Sequence, residues 1–311
     1  MLRFSKAFHN IYVLMAIILI LWGTFAAVSK MSLHSLDSLQ AQFYLFGFAF
    51  ICMTGICIQN GKFKELKRLH RKEVIRLIGY SIPSFLYYVF YLMSLKLIPA
   101  VEASMLNYSF PIMIVILSIP INGEKLDKWK VLSLLLGFIG VIIILTNGNL
   151  AHIKISNVKG DLLALSAAIC WGIFSTLGKK NNTDTFLSNY IYTTVTFLLT
   201  TCCMIFYSKF VLLDIHAFWG LLWLSLSNIV ISYFLWFQAL KVADSALVAN
   251  LSFITPFVTL SFIMIFLGES IQYIQIIGLI IILAGTALET IKSKLSMRKF
   301  NRRNHEPNNI S

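Results

Sequence analysis

The sequence predicts an all-α integral membrane protein of ten transmembrane helices, arranged as two inverted five-helix repeats with both termini cytoplasmic. Three observations predict it. The 311-residue chain is 58% hydrophobic and 13% charged, more apolar side chain than a soluble domain of that length can hide. Ten apolar runs recur along it, each near the roughly 20 residues that cross a bilayer. Finally, residues 88–140 occur twice: shifted by 145 positions they fall on 233–285 without a gap. Helices follow from the long, continuous runs, because backbone groups in lipid must be satisfied within their own segment. A barrel would show short alternating strands instead.

The duplication rests on residue types that are scarce in apolar sequence. Leu95-Lys96 meets Leu240-Lys241, Pro111 meets Pro256, Gly123-Glu124 meets Gly268-Glu269, and Gly140 meets Gly285. A fixed offset near half the chain length marks an internal repeat. Trp22-Gly23-Thr24-Phe25 is echoed at Trp171-Gly172-Ile173-Phe174, so the first run belongs to the repeat and does not read as a cleaved leader. The halves are then 1–146 and 160–291, joined by a polar linker at 147–159 and followed by a basic, polar cytoplasmic tail at 292–311. The tail is expected to be disordered beyond Lys294. Five helices per half is an odd number. The second half must therefore start from the opposite side of the membrane, and matched elements face opposite ways.

Charge supplies the orientation. With a cytoplasmic N-terminus, the cytoplasmic segments hold 21 of the 26 Lys and Arg, most densely at 62–76 and 292–303. This is the positive-inside pattern, and it accounts for the net charge of +13 without nucleic acid. The five cysteines all lie in apolar runs and the six histidines lie near loops or helix ends. No metal spacing or disulfide framework follows, and no cofactor is expected. There is no phosphate-cradling glycine loop, no HExxH and no paired carboxylates on one face, so an enzyme is not expected.

The first run, 11–29, carries Trp22 and Phe25, and the sixth, 160–178, carries Trp171, Phe174 and Ser175. Spacings of three and four place each set on one helical face, as an aromatic cavity wall or as ordinary packing. Lys30 and Lys179 follow about two turns later, as carboxylate attractors or as snorkelling helix-end lysines. The second run, 39–58, and the seventh, 187–207, carry no such motif. The third, 75–95, has Ser84, Tyr87, Tyr88 and Tyr91 on one stripe, and the eighth, 213–236, has Asn228, Ser232, Tyr233 and Trp236. A polar stripe inside a membrane faces protein or water. It serves a substrate or interhelical hydrogen bonds of about 1 kcal/mol each. Tyr91 and Trp236, near helix ends, read as an interfacial belt. The fourth run, 101–120, carries Glu102, Asn107, Tyr108 and Pro111, and the ninth, 245–266, carries Asn250 and Pro256. The prolines read as kinks serving shape or gating. Glu102 is either a proton acceptor or an interfacial residue. Glu124 and Glu269 read as helix-start acids that complement the dipole. The fifth and tenth runs, 128–146 and 273–291, close the halves.

These features resemble the EamA branch of the drug/metabolite transporter superfamily. The strongest stretch runs from Ala239-Leu240-Lys241 to Pro256 and then Leu267-Gly268-Glu269. Its first-half equivalent runs from Ser94-Leu95-Lys96 to Pro111 and then Asn122-Gly123-Glu124. The likeness covers nearly all of the chain except the tail. It implies a carrier of the cell (inner) membrane, often an exporter of amino acids or related metabolites, in some members coupled to protons. Small multidrug members of the superfamily use a glutamate on the first helix for cations. This first run has no acid, so a cationic drug is not expected. The function expected is export of small neutral or zwitterionic metabolites, amino acids first, by alternating access at a cavity between the repeats. The alternatives are carriage of lipid-linked sugars or other metabolites, and a membrane interaction or sensor protein without flux. The partners expected are a small-molecule substrate, the lipid bilayer and protons acting through Glu102, in a monomer or homodimer.

Overall fold

The structure, a computed structural model, describes residues 10–32, 36–98, 100–149, 157–267 and 272–305. In chain order its helices are α1 (Ile11–Ser32), α2 (Ser38–Gln59), α3 (Lys62–Arg68), α4 (Arg71–Leu97), α5 (Ala100–Asn107), α6 (Phe110–Asn122) and α7 (Lys128–Thr146) in the first half. The second half has α8 (Val158–Lys180), α9 (Thr185–Tyr207), α10 (Ile215–Leu224), a π-helical segment at Ser225–Ile231, α11 (Ser232–Val242), α12 (Ser245–Ser252), α13 (Thr255–Leu267) and α14 (Tyr273–His305). Among the described residues nine helical spans are long and apolar enough to cross a membrane, and Ile11–Phe25 of α1 forms a shorter apolar tenth.

The helix ends have local causes. Asp37, Asp127, Asn157, Asp184, Asp214 and Asp244 each accept backbone N–H groups at the starts of α2, α7, α8, α9, α10 and α12. These caps satisfy donors that have no partner within the helix. Gly123 (φ 71°) and Asn147 (φ 52°) end α6 and α7 in the left-handed conformation that such residues tolerate.

The fold departs from expectation at four places. Each mid-membrane proline stands just after a break, at Tyr108–Ser109 and at Phe253–Ile254, where a kink was expected. The eighth span carries the π-helical segment. The basic stretch after α2 forms the short helix α3. Helix α14 continues to His305, where the chain was expected to lose order after Lys294. The Gly268-Glu269 pair and most of the linker lie outside the described residues, as do the side chains of Ser29 and Lys30.

Packing follows the repeat pattern. Helix α4 lies on α8, and α1 lies on α10 and α11; α6 lies on α8, and α1 lies on α13. Helices α7 and α14 touch through glycines. A Cβ on Gly140 would stand 2.6 Å from the Gly278 carbonyl oxygen, and one on Gly285 would stand 2.8 Å from that of Ser133. Small residues let the two backbones meet, and the order of these contacts makes the helices antiparallel. Helix α2 crosses α9 in the same sense: Thr54 meets Tyr190, Phe43 meets Phe197, and Gln40 Nε2 donates to the Lys209 carbonyl. The largest buried side chains include Trp236, Tyr192, Tyr233 and Phe174, so the core is aromatic where α8 and α11 meet.

Candidate substrate cavity

A cavity of about 400 Å³ lies where the two halves meet. Helix α1 supplies Trp22 and Phe25, and α4 supplies Tyr87, Tyr88, Tyr91 and Leu92. Ser104 and Asn107 come from α5, Tyr108 from the break after it, and Phe110 from the start of α6. Trp171 comes from α8, Asn228 from the π-helical segment and Tyr233 from α11. Thr255, Pro256, Thr259 and Leu260 of α13 complete the wall with Ile144, Leu145 and Gln275. Nine of these twenty residues are aromatic and none is charged.

Trp171 is the hub of the wall. Its ring centroid lies 4.9 Å from Tyr87, 5.6 Å from Tyr233, 6.0 Å from Trp22 and 6.4 Å from Phe110. Edge-on and tilted contacts of this kind add about 0.5–1.5 kcal/mol per pair beyond burial. The hydroxyls are linked as well. Ser84 meets Tyr233 at 3.3 Å, Tyr233 meets Tyr88 at 3.4 Å, and Tyr91 meets Ser104 at 3.3 Å. The aromatic faces are thus fixed in orientation before anything binds.

The far end of the same helices is closed by charge. Glu124, just past α6, pairs with Lys179 of α8 at 2.7 Å and accepts from the Ser245 hydroxyl at 2.7 Å and the Ser245 N–H at 3.2 Å. Lys179 also donates to the Ala243 carbonyl. Beside it, Lys130 pairs with Asp244 at 2.7 Å, and Lys292 pairs with Asp127. Burial raises the Asp244 carboxyl, but the Lys130 hydrogen bond, the Ala246 N–H and the charges of Lys130 and Lys179 hold it below its ordinary value. Helix α6 runs from Phe110 in the cavity to Asn122 beside this cluster, about 18 Å at 1.5 Å per residue.

The model of the EamA-like transporter family matches residues 9–146 and 158–291. The chain belongs to this family. It is a multi-pass membrane transporter, and its relatives are named as transporters, not enzymes. An "Uncharacterized transporter" of Archaeoglobus fulgidus is 28% identical over 293 residues, covering 90% of this chain and 97% of that one. A "Probable amino-acid metabolite efflux pump" of Salmonella typhimurium is 24% identical over 286 residues, covering 86% and 91%. The "Aromatic amino acid exporter YddG" of Ancylobacter novellus is 26% identical over 174 residues, covering 55% and 60%. A solved crystal structure shares the fold with a TM-score of 0.79 and 21% identity, covering 90% of this chain and 97% of the other.

Of the sequence candidates in this EamA-like transporter, Trp22, Phe25, Tyr87, Tyr88, Asn107, Tyr108, Trp171, Asn228, Tyr233 and Pro256 line the cavity. The others stand behind the wall. Ser84 is buried against Tyr233, and Phe174 is buried against Trp171, Tyr192 and Phe237. Ser175 accepts from Trp236 Nε1 at 3.0 Å. Ser232 donates to the Ser227 carbonyl across the π turn, and Asn250 donates to Ser133 and Ala246. Pro111 follows Phe110 in the first turn of α6 and stands off the cavity. Glu102 is buried in the first turn of α5 and stands beside Asp161 in the first turn of α8, near the helix ends.

The structure also corrects the belt reading. Tyr91 lines the cavity, and Trp236 is fully buried with its ring 5.1 Å from Trp22. Tyr91 had a legible signal, since it continues the Ser84, Tyr87, Tyr88 stripe at helical spacing. Phe110, Thr259, Gln275 and the aliphatic residues carry none, because they reach the cavity only through the packing of α6, α13, α7 and α14. Glu124 was read as a helix-start acid. It holds instead a cluster joining α6, α8 and α12.

Proposed function

We propose that this transporter exports small neutral or zwitterionic metabolites, amino acids first, by alternating access at the cavity between its halves. The observation that carries the reading is the cavity's composition: nine aromatic side chains, amides and hydroxyls, and no charge. Such a site takes an apolar or aromatic body and reads polar ends by hydrogen bonds. A molecule of net charge loses hydration there with no ion to replace it, so it is held more weakly than a neutral or zwitterionic one of the same shape. The volume of about 400 Å³ suits a single amino-acid-sized molecule. The Salmonella relative is named a probable amino-acid metabolite efflux pump and the Ancylobacter relative an aromatic amino acid exporter, which supports the same class.

Two inverted repeats are part of the proposal. The counterparts α7 and α14, and α2 and α9, run antiparallel, as an axis in the membrane plane requires. The Glu124–Lys179–Ser245 cluster then acts as the latch at the cytoplasmic end, and the cavity faces the other side. Proton coupling through Glu102 belongs to the same reading. Glu102 and Asp161 stand together in the first turns of α5 and α8, and neighbouring carboxyl groups hold a proton more readily than either alone.

Counterflow in proteoliposomes tests the function. Purified protein is loaded with mixed amino acids, and labelled Phe, Thr, Cys or Ala is supplied outside. Exchange well above that of a folded Trp171→Phe variant supports the reading. Absence of exchange by wild-type protein that binds none of these in a thermal-shift assay would sink amino-acid export and turn the search to lipid-linked sugars. Adding a pH gradient with Glu102→Gln examines coupling: uphill accumulation should vanish while exchange persists.

A further inference from the structure

We infer that Asn107 is the residue that reads an amino group on the substrate, which makes amine-bearing, apolar-bodied molecules the substrate class. The inference rests on the cavity being the transport site and goes beyond it by assigning the recognition. Asn107 is the last residue of α5, 6% exposed, and its side chain faces the cavity. Its amide engages the Tyr87 hydroxyl. Its Oδ1 atom is buried and has no hydrogen-bond partner. A buried acceptor left unpaired costs about 1–3 kcal/mol, so the group is retained where something else pairs with it.

The main chain points the same way. The carbonyl of Asn107 would receive its helical hydrogen bond from residue 111, and residue 111 is Pro, which has no N–H. The second half has the same proline problem and solves it internally. There Thr255 Oγ1 donates to the Ser252 carbonyl at 2.7 Å, the acceptor freed by Pro256. In the first half Phe110 stands where Thr255 does and has no hydroxyl, and the neighbouring Ser109 is spent on the Leu106 carbonyl at 2.6 Å. One residue therefore presents two acceptors at the negative end of a broken helix.

An unpaired amide oxygen on a residue whose own carbonyl lacks its helical donor calls for a group that only donates, and an ammonium carries three donors and no acceptor. The rings of Tyr87, Tyr91 and Tyr108 line the same part of the cavity and favour a cation over their faces. The absence of a carboxylate from the lining keeps the site from demanding a net positive charge. A zwitterion or a neutral amine fits better than a dication.

The experiment compares molecules that differ only in the amino group, using full-length protein in proteoliposomes. Phenylalanine, phenethylamine and 3-phenylpropionate are tested as competitors of exchange and as stabilisers in thermal-shift assays. Asn107→Leu should weaken phenylalanine and phenethylamine by roughly ten- to a hundredfold, the range set by losing a hydrogen bond to a charged group. It should leave 3-phenylpropionate unchanged. Asn107→Asp should restore amine binding and shift preference toward phenethylamine. Equal losses for all three compounds would assign Asn107 a structural role, and an unchanged preference would also overturn the inference. Failure of the amino-acid reading is separable: wild type would then exchange no amino acid. The Asn107 assignment would still be supported by stabilisation with phenethylamine that Asn107→Leu abolishes, and refuted if phenethylamine stabilises neither protein.

Discussion

A methyl group added at Gly178 would stand 1.9 Å from the Phe237 ring, whereas one added at Gly79 meets nothing within 4 Å. Both glycines are helical, so the difference isolates packing from propensity. Gly178→Ala should lower stability by about 1–3 kcal/mol through overpacking, read as a drop in melting temperature in detergent. Gly79→Ala should be neutral or stabilising by up to about 1 kcal/mol; equal losses at both sites would contradict this packing. At the hub of the cavity, Trp171→Phe keeps an aromatic ring against Tyr87 and Tyr233 but loses the indole's reach. Exchange should fall at least tenfold with the melting temperature nearly kept. Positions on the cavity wall were legible where type and spacing coincided, as for Trp22, Tyr88 and Tyr233. They were illegible where a side chain is consumed by a neighbour from another helix. Nothing in the sequence around Ser175 says that Trp236 will donate to it, nor around Asn250 that Ser133 will accept from it.

Helix starts were legible to within about four residues, because bilayer thickness fixes the length and aspartate or asparagine caps mark many starts, but the eighth and tenth spans run six and fourteen residues further than expected. Their interruptions were less so. Proline was visible, but proline allows either a bend or a break. The breaks here also need Ser109 and Thr255 to turn their hydroxyls onto local carbonyls. The π-helical segment has no residue signature of its own. It is held where Ser232 Oγ donates to the Ser227 carbonyl five residues back, and it presents Asn228 to the cavity. The charge cluster proposed as a latch also depends on several elements, since Glu124 follows α6 while Lys179 and Ser245 belong to α8 and α12. Glu124→Lys alone should raise access to the closed end, measured as alkylation of a cysteine at Thr176 by a water-soluble reagent. The swap Glu124→Lys with Lys179→Glu should restore closure; if the swap labels as fast as the single variant, the pair does not latch. Acid should act on the same cluster. The Asp244 carboxyl is depressed in the folded state, so its contribution is fully present above the ordinary carboxylate value of about 3.8 and is lost as pH falls below it. Closure should therefore be constant from neutral pH down to about 5, and Asp244→Asn should be the variant that removes the loss at lower pH.

Across the whole molecule, the argument turns on the odd number of spans in each half. An even number would place both copies of a motif on one side of the membrane. With five, the proposed inverted arrangement puts residues 123–127 and their repeat counterparts on opposite sides, so that motion tightening one end of the bundle would loosen the other. In that proposal the close glycine contact of α7 with α14 is the place where the two halves would turn on each other. The arrangement has a direct chemical consequence. In a background without the five native cysteines, single cysteines at Lys125 and at its repeat counterpart Ser270 should react with an impermeant maleimide from opposite faces of the membrane. Lys125 should label only in inverted or permeabilised vesicles, and Ser270 should label in intact cells. Labelling of both from the same face would remove the inverted repeat, and with it the assignment of the Glu124 latch to one mouth of an alternating cavity. The aromatic pocket would survive that result as a binding site, since its geometry does not depend on which way the membrane faces.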